Sequence, residues 1–460
     1  AQAERECLPV SCQTLVVDGG DMFQGTPASN LAFGRPVAEV YNAIGYTAAA
    51  LGNHEFDWGQ DTLRSLMREA HYGILGANVR YADGRDVEWV RNDTLVRRGP
   101  ITIGIIGVAL RSTAAETRPV NVIGLRFDDP APIVDSISRA LRARGADAIV
   151  VLAHAGAFCS GEGSVGCKGD IVELARALTA PVDAIVSGHT HSLVDVAVRG
   201  IPIVQAFKSG RAIGVVDLDV RLGGRRLAAM TTDSAVPKAE VREVRTADYT
   251  PEPRVDAIAR RAVGAVAARV DAPVATIAAT MRKGRKGEQF ALGNLLADSQ
   301  RWAGKSDIAL MNNGGIRSEL RAGQATYGSL FEVQPFGNVL YRITATGAAI
   351  RRYFEALGDG EGPDEHASGV LATYDLRRPQ GSRLVSLTFA DGRPIDDAGS
   401  YTIVMNDFMV TGRDGLALQR AAKDTKNLGI VDLDALVGYL RSQSGPVRPP
   451  EGARIVAGAR

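Results

Sequence analysis

No excess of charge marks this chain: 53 Lys and Arg stand against 52 Asp and Glu, a formal net charge of +1. That balance lacks the basic bias by which nucleic acids and anionic membrane surfaces are gripped, so neither is an expected partner. No apolar run is long enough to span a bilayer. Stretches such as 101–110 and 146–155 have the length of buried strands instead. Cysteine and histidine are scarce, four and six in 460 residues, so where they fall is informative. The cysteines form two close pairs, Cys7/Cys12 and Cys159/Cys167. An even count at such spacing points to disulfides and to an oxidising, periplasmic or secreted setting. Neither pair combines the two- to four-residue gap of a zinc finger with a matching second pair. No secretion signal is visible, and Ala1 to Glu6 reads as the tail of a helix. The expectation is therefore a parent chain that extends upstream.

What is present is ordinary globular material, 45% apolar and 23% charged, in a chain long enough for two or three domains. From Thr14 to about Asp219, apolar strand-like runs alternate with helical stretches. Strands are expected at 101–110, 147–153, 183–187 and from 201, and helices at 62–70, 132–144 and 171–178. A closing hairpin is expected over 215–220 and 225–232. Such interleaving implies an α/β layered domain. Residues 251–270 are rich in Ala, Arg and Val and flanked by prolines, and read as a helix at a domain boundary. A second domain then follows, with helices at 292–302 and 347–356 and strands at 307–311 and near 384 and 401. The expected division is 1–250, a linker helix at 251–272, and 273–460.

Chemistry concentrates at the ends of apolar runs. Gly19-Gly-Asp-Met-Phe-Gln-Gly-Thr26 follows Thr14-Leu-Val-Val, and Gly52-Asn-His-Glu-Phe-Asp-Trp-Gly59 follows Ala48-Ala-Ala-Leu. His154 follows 148–153, and His189 and His191 follow 184–187 within Ser-Gly-His-Thr-His. A lone histidine at a strand end is usually a hydrogen-bonded loop residue. Here Asp21, Asn53, His154, His189 and His191 all sit just past a strand, where the loops of a parallel sheet converge. Oxygen and imidazole ligands without thiolate suit Zn, Mn, Fe or Co and do not choose among them. Further on, Met311-Asn-Asn-Gly-Gly-Ile-Arg317 ends a strand in a glycine loop. Gln334-Pro-Phe-Gly-Asn338 and Asp407-Phe-Met-Val-Thr-Gly-Arg-Asp-Gly415 each set a phenylalanine among turn residues, a placement able to clamp a planar base.

Together these motifs resemble the calcineurin-like metallophosphoesterases and, with Phe-Gln-Gly-Thr-Pro and the second domain, more closely the 5′-nucleotidase/UDP-sugar hydrolase family. The resemblance covers nearly the whole chain. It implies a four-layer αββα metallophosphoesterase sandwich followed by a smaller α/β substrate-binding domain. It implies two divalent ions bridged by Asp21, one completed by Asn53, His154 and His189, the other including His191. Such a pair, about 3.5–4 Å apart, activates a water and neutralises charge on phosphate oxygens. His54 and Asp57 match the catalytic dyad. Phe336 and Phe408 match the base-stacking pair, Asp414 the ribose acceptor, and Asn312, Arg317, Asn338, Gly369 and Arg285 other nucleotide contacts. Arg413 and Asp407 depart from the common residues, which leaves the base preference open.

The implied activity is hydrolysis of a nucleoside 5′-monophosphate. The alternatives are 2′,3′-cyclic-nucleotide phosphodiesterase, UDP-sugar hydrolase or thiosulfohydrolase of the same family. With chemistry and recognition on separate domains, hinge closure about the 251–270 helix is expected. The family draws two further ligands from an Asp-x-His motif on a strand before Gly19, and residues 1–18 hold no such motif. A poorly active chain is the expectation from that departure, and a non-catalytic nucleotide-binding protein is the alternative of another class.

Overall fold

In a computed structural model, the structure describes residues 13–160, 166–218, 220, 239–285 and 287–458. These fall into two compact units, one up to residue 262 and one from 263 onward, with 25–28 counted in the second.

The first unit is built on two sheets. A three-stranded parallel sheet holds β1 (Val17–Asp18), β2 (Ala48–Ala50) and β3 (Gly73–Leu75) in that order. A six-stranded sheet holds β4 (Asp93–Arg98), β5 (Ile101–Val108), β6 (Ala148–Ala153), β7 (Ala184–Ser187), β8 (Leu193–Val198) and β9 (Ile201–Ala206). Its order is β8-β9-β7-β6-β5-β4, and the central strands β9, β7, β6 and β5 run parallel.

Strand alternation sorts the apolar side chains into three cores. Ala48, Ala50, Leu75, Ile105 and Leu152 face one another between the sheets. Ala49 and Ile74 turn outward to Leu63 and Leu66 of the helix α2 (Gly59–Glu69) and to Ala38 of α1 (Arg35–Ile44). Ile106, Ile149, Val151 and Ile185 turn the opposite way, to Val134 and Leu141 of α3 (Pro130–Ala143) and Ile171 and Leu174 of α4 (Asp170–Ala177). Helices, sheet, sheet, helices: the expected four layers are present. The sheets approach so closely that a Cβ on Gly107 would lie 2.3 Å from the Cβ of Leu75, which is why this strand carries a glycine there.

Most element ends fall within two residues of expectation, and the differences have local causes. The strand expected to reach 110 stops at Val108, because Asn78 takes the backbone of Ala109 on both sides, N–H (2.8 Å) and carbonyl (2.9 Å). Helix α3 starts at Pro130, two residues early, since Asp129 caps it by accepting from Ala131 N–H and Pro130 fits the first turn. The strand 212–216 pairs antiparallel with 239–243. The hairpin turn expected at 223–224, the strand expected at 225–232, and Cys7, Cys12 and Lys286 lie outside the described residues. Cys159 and Cys167 form a disulfide. The helix expected at the boundary is α5 (Pro253–Val270).

The second unit centres on a five-stranded mixed sheet. Its strands are β10 (Ile308–Asn312), β11 (Val339–Thr346), β12 (Glu365–Ser368), β13 (Ser400–Asn406) and β14 (Asp424–Val431), in the order β12-β10-β13-β11-β14. One face packs on α7 (Gly347–Leu357) through Ile343, Ile403, Ile350 and Phe354. The other meets α6 (Ala291–Gly304) and α9 (Asp432–Arg441) through Ala309, Val404 and Ala435. Between β13 and β14 lie a short helix, α8 (Asp407–Thr411), and a further helix that carries Asp414.

Candidate metal centre and nucleotide-binding groups

Four of the five expected ligands leave the carboxyl ends of parallel strands: Asp21 after β1, Asn53 after β2, His154 after β6 and His189 after β7. The loops are tightly folded. Asp21, His189 and His191 have φ of 64°, 80° and 52°, left-handed values that side-chain-bearing residues adopt only where their surroundings hold them. Glycines permit the crowding. A Cβ on Gly52 would lie 2.2 Å from Oδ1 of Asp21, and one on Gly188 would lie 2.6 Å from the Gly19 carbonyl oxygen.

His154 is fully buried. Its Nδ1 lies 2.8 Å from the Gly19 carbonyl, which can only accept, so Nδ1 carries the proton that is donated. Nε2 then faces Oδ2 of Asp21 (3.1 Å) and Oδ1 of Asn53 (3.2 Å). The Asn53 amide is oriented by its Nδ2, which donates to the carbonyl of Glu116 (3.0 Å). The rings of His154 and His189 meet edge-on at 5.2 Å, and ligand atoms of Asp21, His154 and His189 lie within 4.8 Å of one another. His191, two residues on, is not in that group. Burial opposes charge on Asp21, yet the imidazoles of His154 and His54 override it and hold the carboxyl well below its ordinary range. For His154, burial likewise opposes protonation, and Asp21 overrides it upward. A carboxylate, an amide oxygen and two imidazoles gathered on one point form a donor set that fits a divalent cation. The committed Nδ1 is the outer hydrogen bond that metal-binding histidines characteristically make.

Beside this cluster, Nδ1 of His54 lies 2.8 Å from Oδ2 of Asp57. Asp57 is held in turn: Thr117 Oγ1 donates to its Oδ1 (3.3 Å) and Asn121 Nδ2 to its carbonyl (2.8 Å). Two carboxylates here were not expected. Glu55 is buried and accepts backbone N–H groups from both ligand loops. Glu116 lies with Oε2 3.3 Å from Nε2 of His189. Glu55 had one available signal, its place inside Asn-His-Glu-Phe, and Glu116 had none.

In the second unit, one end of the five-stranded sheet gathers most of the expected residues. Asn312 ends β10 and accepts from Asn406 Nδ2 (2.9 Å) at the end of the parallel strand β13. Asn406 caps α8, which carries the half-buried Phe408. Leu340 of β11 pairs with Asn406, so the loop holding Phe336 and Asn338 emerges at the same end. Asn338 donates to Asp432, and the Arg317 guanidinium lies 5.5 Å from the centre of the Phe336 ring. The exposed Arg285 joins through its carbonyl, which accepts from Asn313 Nδ2 (3.0 Å). Asp414 lies close enough to act, after burial and Asp364, on Glu365, whose carboxyl is pushed up to about 7.

Gly369 is a correction. Strand β12 runs antiparallel to β10, with Glu365 opposite Asn312 and Ser368 opposite Ala309. Gly369 therefore falls past the far end of the strand, four residues from the position opposite Asn312, or roughly 13 Å at about 3.3 Å per residue. Its φ of +85° and the carbonyl of Asp307, 2.1 Å from where its Cβ would be, account for the glycine structurally. The residues that do flank Asn313 are Asp364 and Arg285.

Residues 5–193 match the calcineurin-like phosphoesterases, which use divalent metals, and residues 266–421 match the C-terminal domain of 5′-nucleotidases. The class is thus a metallophosphoesterase. With both domains present in this order, the chain belongs to the 5′-nucleotidase family. It is 32% identical over 459 residues to endonuclease YhcR of Bacillus subtilis, covering 96% of this chain but only 36% of that protein's length. Protein UshA of Escherichia coli is 28% identical over 465 residues, covering 94% of this chain and 83% of UshA. A solved 5′-nucleotidase precursor from Thermus thermophilus superposes with a TM-score of 0.81 at 26% identity, covering 97% of this chain and 90% of that one.

Proposed function

We propose that this chain hydrolyses nucleotide phosphoesters as a 5′-nucleotidase does, releasing phosphate from a nucleoside 5′-monophosphate. One observation carries the reading: Asp21, Asn53, His154 and His189 converge from four strand ends beside a hydrogen-bonded His54–Asp57 pair. In this reading Asp21 would help to hold each of two divalent ions (Zn, Mn, Co or Fe). Asn53, His154 and His189 would hold the first ion, and His191 would contribute to the second. Such ions supply an activated water and neutralise charge on the phosphate.

The protein's own groups do the rest. His154 presents Nε2 because Nδ1 is committed to Gly19. Asp57 orients His54 through Nδ1, so the far edge of the ring can stabilise the phosphoryl oxygens or the leaving oxygen. On the second unit, Phe336 and Phe408 stack the base and Asp414 accepts from the ribose. Asn312, Arg317, Asn338 and Arg285 contact the nucleotide. The domains divide as 1–250, a helix at 251–272, and 273–460. The Cys159–Cys167 disulfide supports a periplasmic or secreted location. Among the described residues no helix is long and apolar enough to cross a membrane.

The test is phosphate release from a panel of nucleotides with Mn, Zn or Co. His54→Ala should lower kcat roughly 10²–10⁴-fold while leaving bound metal in place. Undiminished turnover in that variant, or no release from any nucleotide by the wild type, would overturn the assignment.

A further inference from the structure

Glu55 stands between two residues already given roles, yet its carboxylate points away from the solvent-facing side of the site. It is 1% exposed. Oε2 accepts the N–H of Asp21 (2.9 Å) and of Gly52 (2.6 Å), and Oε1 accepts the N–H of Met22 (2.7 Å). In the opposite sense, Oδ1 of Asp21 accepts the N–H of His54 (3.0 Å). Two carboxylates, one on each loop, thus lace the 19–22 loop to the 52–57 loop from both sides. The strands beneath, β1 and β2, pair only over 17–18 with 48–49, so beyond them these bonds replace the ladder.

The arrangement fits a positioning role. Asp21 is held at a φ of 64°, a left-handed conformation that costs energy and persists where the surroundings fix it. Glu55 fixes that peptide by its N–H and, with the same oxygen, fixes the Leu51–Gly52 peptide one residue ahead of Asn53. Three backbone N–H groups converging on the two oxygens of one buried carboxyl fix its position and the peptides it holds. With both oxygens committed, the carboxylate is not itself a candidate ligand.

We propose that Glu55 is the positioning residue that sets the affinity of this centre for its divalent ion, by clamping the Asp21 and Asn53 loops in register. The proposal rests on the metal-site reading above. Glu55→Gln is nearly isosteric, but its amide nitrogen would face a backbone N–H and break at least one arm of the clamp.

The experiment titrates Mn²⁺ into metal-stripped wild type and E55Q, following free Mn²⁺ by paramagnetic resonance. Far-ultraviolet circular dichroism of both proteins checks the fold. Wild type should bind, and E55Q should bind roughly 10–100-fold more weakly, the range for residues that orient metal ligands. At saturating ion kcat should recover, whereas the ion concentration for half-activity should rise. Equal affinity in a folded E55Q would overturn the proposal and leave the metal site standing. No binding by wild type would instead remove the metal-site reading itself. Should E55Q fail to fold, hydrogen exchange in wild type decides. Coupling is reciprocal, so Zn²⁺ should slow exchange of the Asp21, Met22 and Gly52 amides at least about tenfold, and unchanged exchange there would refute the clamp.

Discussion

At the scale of single residues, contacts that sequence cannot display decide which positions are intolerant. Gly52 and Gly264 look alike on paper. In the structure a Cβ on Gly52 would strike Oδ1 of Asp21 at 2.2 Å, whereas one on Gly264, inside helix α5, meets nothing within 4 Å. Gly52→Ala should therefore displace the ligand and cost about 1–3 kcal/mol of stability, together with most of the metal affinity. Gly264→Ala should stabilise by roughly 0.5–1 kcal/mol, as alanine does in a helix interior. Urea midpoints of the two variants, with a Mn²⁺ titration of the first, check both expectations; similar behaviour of the pair would contradict them.

His366 makes a second residue-scale prediction. It is fully buried, both ring nitrogens lack hydrogen-bond partners among the described residues, and burial with the nearby Arg454 charge pulls its pKa down to about 4. The unfolded chain takes up this proton near its ordinary value of about 6.5, so acid favours unfolding. Wild type should lose roughly 3 kcal/mol relative to His366→Gln as pH falls from about 6.5 to about 4, and no more below that. The comparison has to be made against the variant, because the buried carboxyls of Glu365 and Asp432, raised to about 7, push the opposite way over the same window. A difference independent of pH would refute the assignment.

At the scale of elements, periodicity was a good guide wherever a segment's fate is local. The strand ends that carry Asp21, Asn53, His154 and His189 were legible because each is an apolar run closed by a small residue and a ligand type. What failed is what depends on a partner far along the chain. Nothing near Ala109 announces that Asn78 will take its backbone, and nothing near Glu55 announces that its acceptors serve N–H groups more than thirty residues upstream. Gly369 misled for the same reason, since its strand register and not its neighbours fixes which end of the sheet it occupies. The disulfide is an element-scale constraint: Cys159 and Cys167 join two short antiparallel strands just past His154. Closing a loop of eight residues' separation should contribute about 2–3 kcal/mol. Reduction should lower the denaturation midpoint accordingly, and an unchanged midpoint would contradict that contribution.

For the whole molecule, class and layer order were readable because a four-layer sandwich needs strands buried on both faces. The all-alanine β2 and the apolar β5 and β6 supply such strands. The chemistry depends on a property no single segment holds, the meeting of ligands drawn from four strand ends. Anomalous diffraction from crystals grown with Mn²⁺ measures that meeting directly. The account predicts a manganese peak bonded to the Asp21 carboxylate, Oδ1 of Asn53, Nε2 of His154 and the His189 ring. Manganese bound elsewhere, or no peak at these four side chains in an otherwise intact fold, would contradict it.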